Sequence, residues 1–218
     1  MIVDANSSSL EQMVFTRLEE EILSGALPRG TALGEVALTK KVGASRTPVR
    51  GALHRLSEEG LVELVPNKGA TVVGINKEDL IDIYRIRERL EGLAARLAAE
   101  RITEAEVAEL ENSLELAEFY IKKNDTEHIK ELDTTFHSII YKASGSRFLS
   151  GTLSELHRKI KSYRKRSLSV PGRLERSIEE HREIFEAIKR KDSELADRLT
   201  SLHVERALEN ILSVANTD

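Results

Sequence analysis

Ser45-Arg46-Thr47-Pro48-Val49-Arg50-Gly51-Ala52-Leu53-His54-Arg55-Leu56 is the stretch on which the fold turns. Val49, Ala52, Leu53 and Leu56 fall on one side of a helix that begins here, whereas Arg46, Arg50 and His54 recur every four residues on another. Ser45 reads as the N-cap, and Pro48 is tolerated because a first-turn amide has no helical partner to lose. One face packs, and the other is free to meet something acidic.

Upstream, Leu10 to Leu27 reads as a first helix, Ala26-Leu27-Pro28-Arg29-Gly30-Thr31 as a turn, and Gly34 to Val42 as a short second helix closed at Gly43-Ala44. Downstream, the β-branched runs Leu61–Val65 and Ala70–Gly74 flank Pro66-Asn67-Lys68-Gly69, a hairpin signal with a basic tip. Helix, helix, turn, helix and a two-stranded wing make a winged helix-turn-helix. Between Arg29 and Leu56 the basic residues are Arg29, Lys40, Lys41, Arg46, Arg50 and Arg55, and the only acid is Glu35, although the whole chain carries a net charge of -4. A basic patch inside an acidic chain is what a site-specific reader of double-stranded DNA needs, since phosphate attraction is wanted on one face only. The competing reading is a solvated basic face on an ordinary helical protein.

Composition bounds the rest. The chain has 218 residues, 32% charged and 4% aromatic, with no Trp and four Pro, which favours long amphipathic helices over sheets. At Asn76-Lys77 the pattern changes to helical periodicity that continues to the C-terminus, so two domains are expected, 1–75 and 76–218. Breaks at Arg101-Ile102-Thr103, Lys123-Asn124-Asp125, Ser144-Gly145-Ser146, Val170-Pro171-Gly172 and Lys191-Asp192 predict an all-α six-helix bundle for the second domain and a mostly α protein overall. Cysteine is absent, so neither disulfides nor thiolate metal sites arise. Met1 to Ser9 lacks the series of a cleavable leader, and no apolar run approaches the roughly 20 residues needed to span a bilayer, so a cytoplasmic chain without membrane contact is expected.

Four side chains in the second domain carry metal-ligand chemistry. Asp133 and His137 lie four apart on the apolar face formed by Ile129, Leu132, Phe136 and Ile140. His181 lies among Ile178, Ile184, Phe185 and Ile188, and His203 beside Leu199 and Leu202. Ordinary core histidines and ligands for one ion are both compatible with this spacing. Arg87 sits within the apolar stripe of Leu80, Ile83, Tyr84, Leu90, Ala94 and Leu97, where a charge must be paired or bind something charged; an ion pair with Glu91 and a grip on an effector carboxylate are the two readings. The basic run Arg158, Lys159, Lys161, Arg164, Lys165 and Arg166 reads as a solvated face, or as a source of one arginine, Arg158 or Arg164, turned inward onto an anion. His128 and His157 read as surface residues.

The stretch Leu18–Val73 resembles the DNA-binding domain of the GntR family of bacterial regulators, through Ser45–Arg50, Ala52-Leu53, Leu56, Glu59-Gly60-Leu61-Val62 and the wing Pro66–Gly69. The resemblance implies that Arg46 and Arg50 reach the major groove or its flanking phosphates, that Thr47 caps the helix or contacts phosphate, and that Gly69 lets the wing, with Lys68, approach the minor groove. His54 lies on the same face and is a further candidate contact. Arg29, Val36 and Gly51 depart from the family's usual Pro, Arg and Glu. Asp79 to Leu212 resembles the FadR-type effector domain, FCD, whose recurrent Arg and Glu fall on Arg87 and Glu91. In its metal-binding subgroup an Asp-x-x-x-His pair precedes two single histidines, which implies Asp133, His137, His181 and His203 as ligands of a divalent metal, zinc first and nickel or manganese as alternatives.

A dimeric repressor is therefore expected, a homodimer that binds operator DNA and whose affinity is modulated by a small organic acid effector near the metal. The rivals are a metal-dependent enzyme and a DNA-binding protein whose helical domain only dimerises. Against the enzyme, the chain has no His-Glu-x-x-His motif and no nucleophile elbow.

Overall fold

The computed structural model describes residues 5–66, 68–168 and 170–215; Asn67 at the expected wing tip and the Arg166 side chain lie outside the described residues. Contacts divide the chain into two compact units, Met1–Asp79 and Leu80–Asp218, against the 1–75 and 76–218 read from periodicity.

The first unit contains α1 (Ala5–Leu23), β1 (Ala32–Leu33), α2 (Glu35–Val42), α3 (Arg46–Glu58), β2 (Val62–Val65) and β3 (Gly69–Val72). Val14, Leu18 and Ile22 of α1 bury against Val49, Leu53 and Leu56 of α3, each at most 6% exposed, with Leu38 of α2 and Val72 of β3 in the same core. Each such aliphatic side chain contributes about 1.5–3 kcal/mol by leaving water. Gly43 ends α2 with φ 66°, a left-handed conformation that a side chain disfavours, and so lets the chain double back into α3. Ser45 has the extended backbone of an N-cap, but its hydroxyl makes no capping bond.

The wing has one strand more than the sequence predicts. The sheet order is β1-β3-β2, both pairings antiparallel, with Leu33 opposite Ala70 and Val65 opposite Gly69. A two-residue strand has no periodicity to read, which is why Ala32 and Leu33 stand unassigned between the expected turn and the second helix. Its position dictates Gly69: a Cβ there would lie 2.1 Å from the Leu33 carbonyl oxygen, and φ is 108°.

The second unit contributes α4 (Lys77–Arg101), α5 (Glu104–Lys122), α6 (Thr126–Ala143), α7 (Arg147–Lys159), α8 (Lys161–Leu168), α9 (Arg173–Lys189) and α10 (Ser193–Ala215). Its helix starts are written in side chains. Thr103 and Glu106 form a reciprocal capping box on α5, Asp125 accepts from the His128 amide on α6, and Ser146 accepts from the Leu149 amide on α7. Among the described residues this unit has seven helices rather than six, because the basic run is cut at Ile160, whose backbone (φ −103°, ψ 12°) leaves the helix while its side chain stays fully buried. The core joins Ala95, Ala98 and Ala99 of α4 to Leu110, Leu114, Phe136, Ile140, Phe185 and Ile188. Small residues on α4 permit close approach: a Cβ on Gly92 would lie 2.3 Å from Asp197 Oδ1 on α10. Among the described residues no helix is long and apolar enough to cross a membrane.

Candidate nucleic-acid interface and metal centre

α3 splits as its sequence dictates. Pro48, Val49, Ala52, Leu53 and Leu56 are buried, whereas Arg46, Thr47, Arg50 and His54 are exposed, so the outer face carries cations and hydroxyl on a rigid support. Arg50 is anchored: its Nε donates to both carboxylate oxygens of Glu35, at 2.8 and 2.9 Å. Arg55 instead turns back onto α1, with Nη1 donating to Gln12 at 3.0 Å and its guanidinium 4.1 Å above the Phe15 ring. Lys68 is exposed on the wing. Gly69, beside it at the start of β3, is buried, and the Leu33 carbonyl occupies the space that a side chain would need. At Gly51 the missing side chain leaves room for the Glu11 carboxylate of α1, 2.1 Å from where a Cβ would stand.

In the second unit α6 supplies Asp133 and His137, α9 supplies His181, and α10 supplies His203, all at most 7% exposed. One ligand atom from each of the three histidines lies within 4.8 Å of the others. His203 Nδ1 donates to Glu180 Oε2 at 2.7 Å, and His137 Nδ1 lies 3.2 Å from Glu91 Oε2. A carboxylate at Nδ1 favours the proton on that nitrogen and leaves the Nε2 lone pair for a Lewis acid, an arrangement that metal-binding histidines share. His137 Nε2 and His181 Nε2 are buried without a hydrogen-bond partner, and an orphaned buried nitrogen costs free energy unless something else engages it. Burial pushes the His181 pKa well below its ordinary value, helped by the neighbouring His203 and His137, and burial also lowers His137 against the opposing pull of Glu91. Neutral imidazoles are the form that ligates. The residues therefore fit a divalent ion with nitrogen and oxygen ligands.

Asp133 is the exception to a clean four-ligand set. One oxygen is 3.7 Å from His181 Nε2, but the other is taken by Arg164 of α8. Arg164 thus turns inward, while Arg158 does not: Arg158 Nη2 donates to Glu155 at 2.6 Å on the exposed side of α7. The break at Ile160 resets the helix between these two arginines, so their relative phase could not be taken from continuous spacing.

Around this cluster lies a second set of buried polar groups. Arg87 Nε donates to Glu91 Oε1 at 2.6 Å, both side chains at most 2% exposed, while Arg87 Nη1 is buried without a hydrogen-bond partner. Burial opposes ionisation of Glu91, but Arg87 and His137 outweigh it and hold the carboxyl well below its usual range. His157, read as a surface residue, is in fact buried with its ring 5.1 Å from that of His137. Its signal was present: Leu149, Leu153 and His157 recur every four residues on the buried side of α7. Glu180 was also missed. Burial alone would raise its pKa, but His203 and Arg173 hold it at about 2. A cavity of about 20 Å³ opens beside Arg87, Asp133, Arg164, Arg173 and His203.

The sequence matches the gntR family of bacterial regulatory proteins over residues 10–72 and the FCD domain over residues 82–206. The HTH-type transcriptional regulator YdhC of Bacillus subtilis is 31% identical over 92% of this chain and 90% of its own length. The gluconate operon transcriptional repressor of Bacillus licheniformis is 30% identical over 87% and 79% respectively. Among solved structures, McbR/YncC of E. coli superposes with a TM-score of 0.72 at 28% identity, covering 94% of this chain and 98% of that one. The chain therefore belongs to the gntR family of bacterial regulatory proteins, carries an FCD domain, and is a DNA-binding transcription regulator rather than an enzyme.

Proposed function

We propose that the chain is a FadR-type repressor that binds a pseudo-palindromic operator as a two-fold homodimer, and that a small carboxylate bound in the helical unit beside a divalent ion releases it. The observation that carries the sensing half is the trio of buried imidazoles, His137, His181 and His203, two of them backed at Nδ1 by a carboxylate. These three, with Asp133 beside them, would hold zinc, nickel or manganese. A bound ion would supply a Lewis-acidic centre for the effector's carboxylate. Arg164 and Arg87, which border the same cavity, would neutralise that anion. Only a difference in effector affinity between two conformations can move DNA affinity.

Arg46, Thr47, Arg50 and His54, with Lys68 on the wing, form the DNA-facing set of this reading. A two-fold dimer is supported by α4, where Ile83, Ile86, Leu90, Leu93 and Leu97 recur at alternating three- and four-residue steps; Ile86 and Leu93 are 49% and 42% exposed, a seam suited to a partner helix. Repression follows the naming of relatives such as the gluconate operon repressor. His181→Ala together with His203→Ala is expected to abolish stoichiometric metal in the purified full chain; elemental analysis that finds full occupancy would remove this ligand set. The cavity's small volume favours a second reading, in which the ion only braces a dimerisation domain. Thermal-shift screening of organic acids with and without divalent metal separates the two, since a true effector must raise the melting temperature by mass action.

A further inference from the structure

Arg50 is the only α3 arginine for which the structure gives a carboxylate held by a doubled hydrogen bond among the described residues, and the partner, Glu35, is the first residue of α2. Both groups stand at the surface, with side chains 59% and 22% exposed. An arginine carries five N–H donors, and here the Nε donor is spent on Glu35. The donors left are those of Nη1 and Nη2, at the far end of the guanidinium. That end matches the paired O6 and N7 acceptors of guanine in the major groove.

We infer that Glu35 is a positioning residue for base reading: it pins Nε of Arg50, so that the guanidinium meets one guanine end-on through its two terminal nitrogens. This rests on the assignment of α3 as the DNA-reading helix. The arrangement has an electrostatic cost with a definite sign. Glu35 is an anion on a surface that faces phosphates, so it weakens attraction to any duplex while sharpening the choice among duplexes. A residue that merely supports the fold would do neither.

Opposite signs make the inference testable with Glu35→Gln in the full-length chain. The probes are a pool of random-sequence duplexes, the duplex that the wild type enriches most from that pool, and derivatives of that duplex with each guanine replaced by adenine. Wild type is expected to lose about tenfold in affinity or more at one guanine per half-site. Glu35→Gln is expected to lose most of that discrimination at the same guanine only, while binding the random pool as tightly as wild type or more tightly. Arg50→Lys, with Glu35 intact, is expected to lose the same preference, because an ammonium presents no fork. A Glu35→Gln chain that binds every duplex more tightly but keeps the full preference would make Glu35 a mere competitor for Arg50 and overturn the inference. Loss of pool binding together with a lowered melting temperature would assign Glu35 to the fold and overturn it equally. If wild type enriches no sequence, the DNA-reading assignment itself fails, and the role of Glu35 with it.

Discussion

Replacing Glu91 with leucine tests how the helical unit holds its buried charge. The substitution keeps the side chain near its original volume, so the main change is electrostatic: Arg87, 2% exposed, loses the carboxylate that its Nε grips at 2.6 Å. Removing one member of a buried pair costs about 3–5 kcal/mol, because the remaining ion stays desolvated without compensation. For a unit of this size each kcal/mol moves the melting midpoint by about 3 °C, so Glu91→Leu should melt about 10–15 °C below wild type. The double variant Arg87→Met/Glu91→Leu removes both charges and should recover most of that loss, as buried pairs replaced by apolar groups of like volume often do. Differential scanning calorimetry of both chains, freed of metal by chelator, reads the effect directly. A single variant within about 3 °C of wild type, or a double variant no more stable than the single one, would refute the argument that Glu91 exists to neutralise Arg87.

Arg50→Ala should weaken binding to an enriched operator by about tenfold or more while leaving the melting temperature unchanged, because the side chain is exposed; equal retention in a mobility-shift assay would take Arg50 off the contact surface. Gly69→Ala should destabilise the first unit by more than about 1 kcal/mol, since the new methyl meets the Leu33 carbonyl at a positive φ, and urea titration with an unchanged midpoint would contradict this. Acid should loosen the helical unit in two stages. His137, His157 and His181 are held below their ordinary 6.5 by burial, so their stabilising contribution is complete above that pH and is lost as protons bind the unfolded chain below it. Glu180, lowered from 4.5 to about 2, adds a further loss between those values. Melting curves of chelator-treated protein that stay level between about pH 7 and pH 5 would contradict the first stage.

What could be read in the chain beforehand followed from local chemistry. The helix breaks near residues 102, 124, 145, 171 and 191 rest on residues that change backbone direction, and Asn124, Gly145, Gly172 and Lys191 all adopt positive φ. The buried side of α3 followed from the spacing of Val49, Ala52, Leu53 and Leu56. What escaped was set by partners distant in sequence. Strand β1 forms because β3, 37 residues further on at Ala70, offers its edge to Leu33. Glu180 owes its place to His203 on the next helix, and Ile160 breaks the basic run through burial, with neither Gly nor Pro to announce it. Among the four expected ligands the three histidines converge, whereas the engagement of Asp133 by Arg164 depends on α8, a helix that the sequence merged with α7.

Tyr84 and Tyr141 are fully enclosed beside Arg87 and Glu91, and burial raises the pKa of both so that they stay protonated. They are two of only four tyrosines in a chain with no tryptophan. Ultraviolet emission from this molecule is therefore dominated by phenol, with no indole to drain it, and half of its tyrosines border the Arg87–Glu91 pair. The regulator carries an intrinsic optical gauge of its own interior, readable without a label whenever the charges around that pair rearrange.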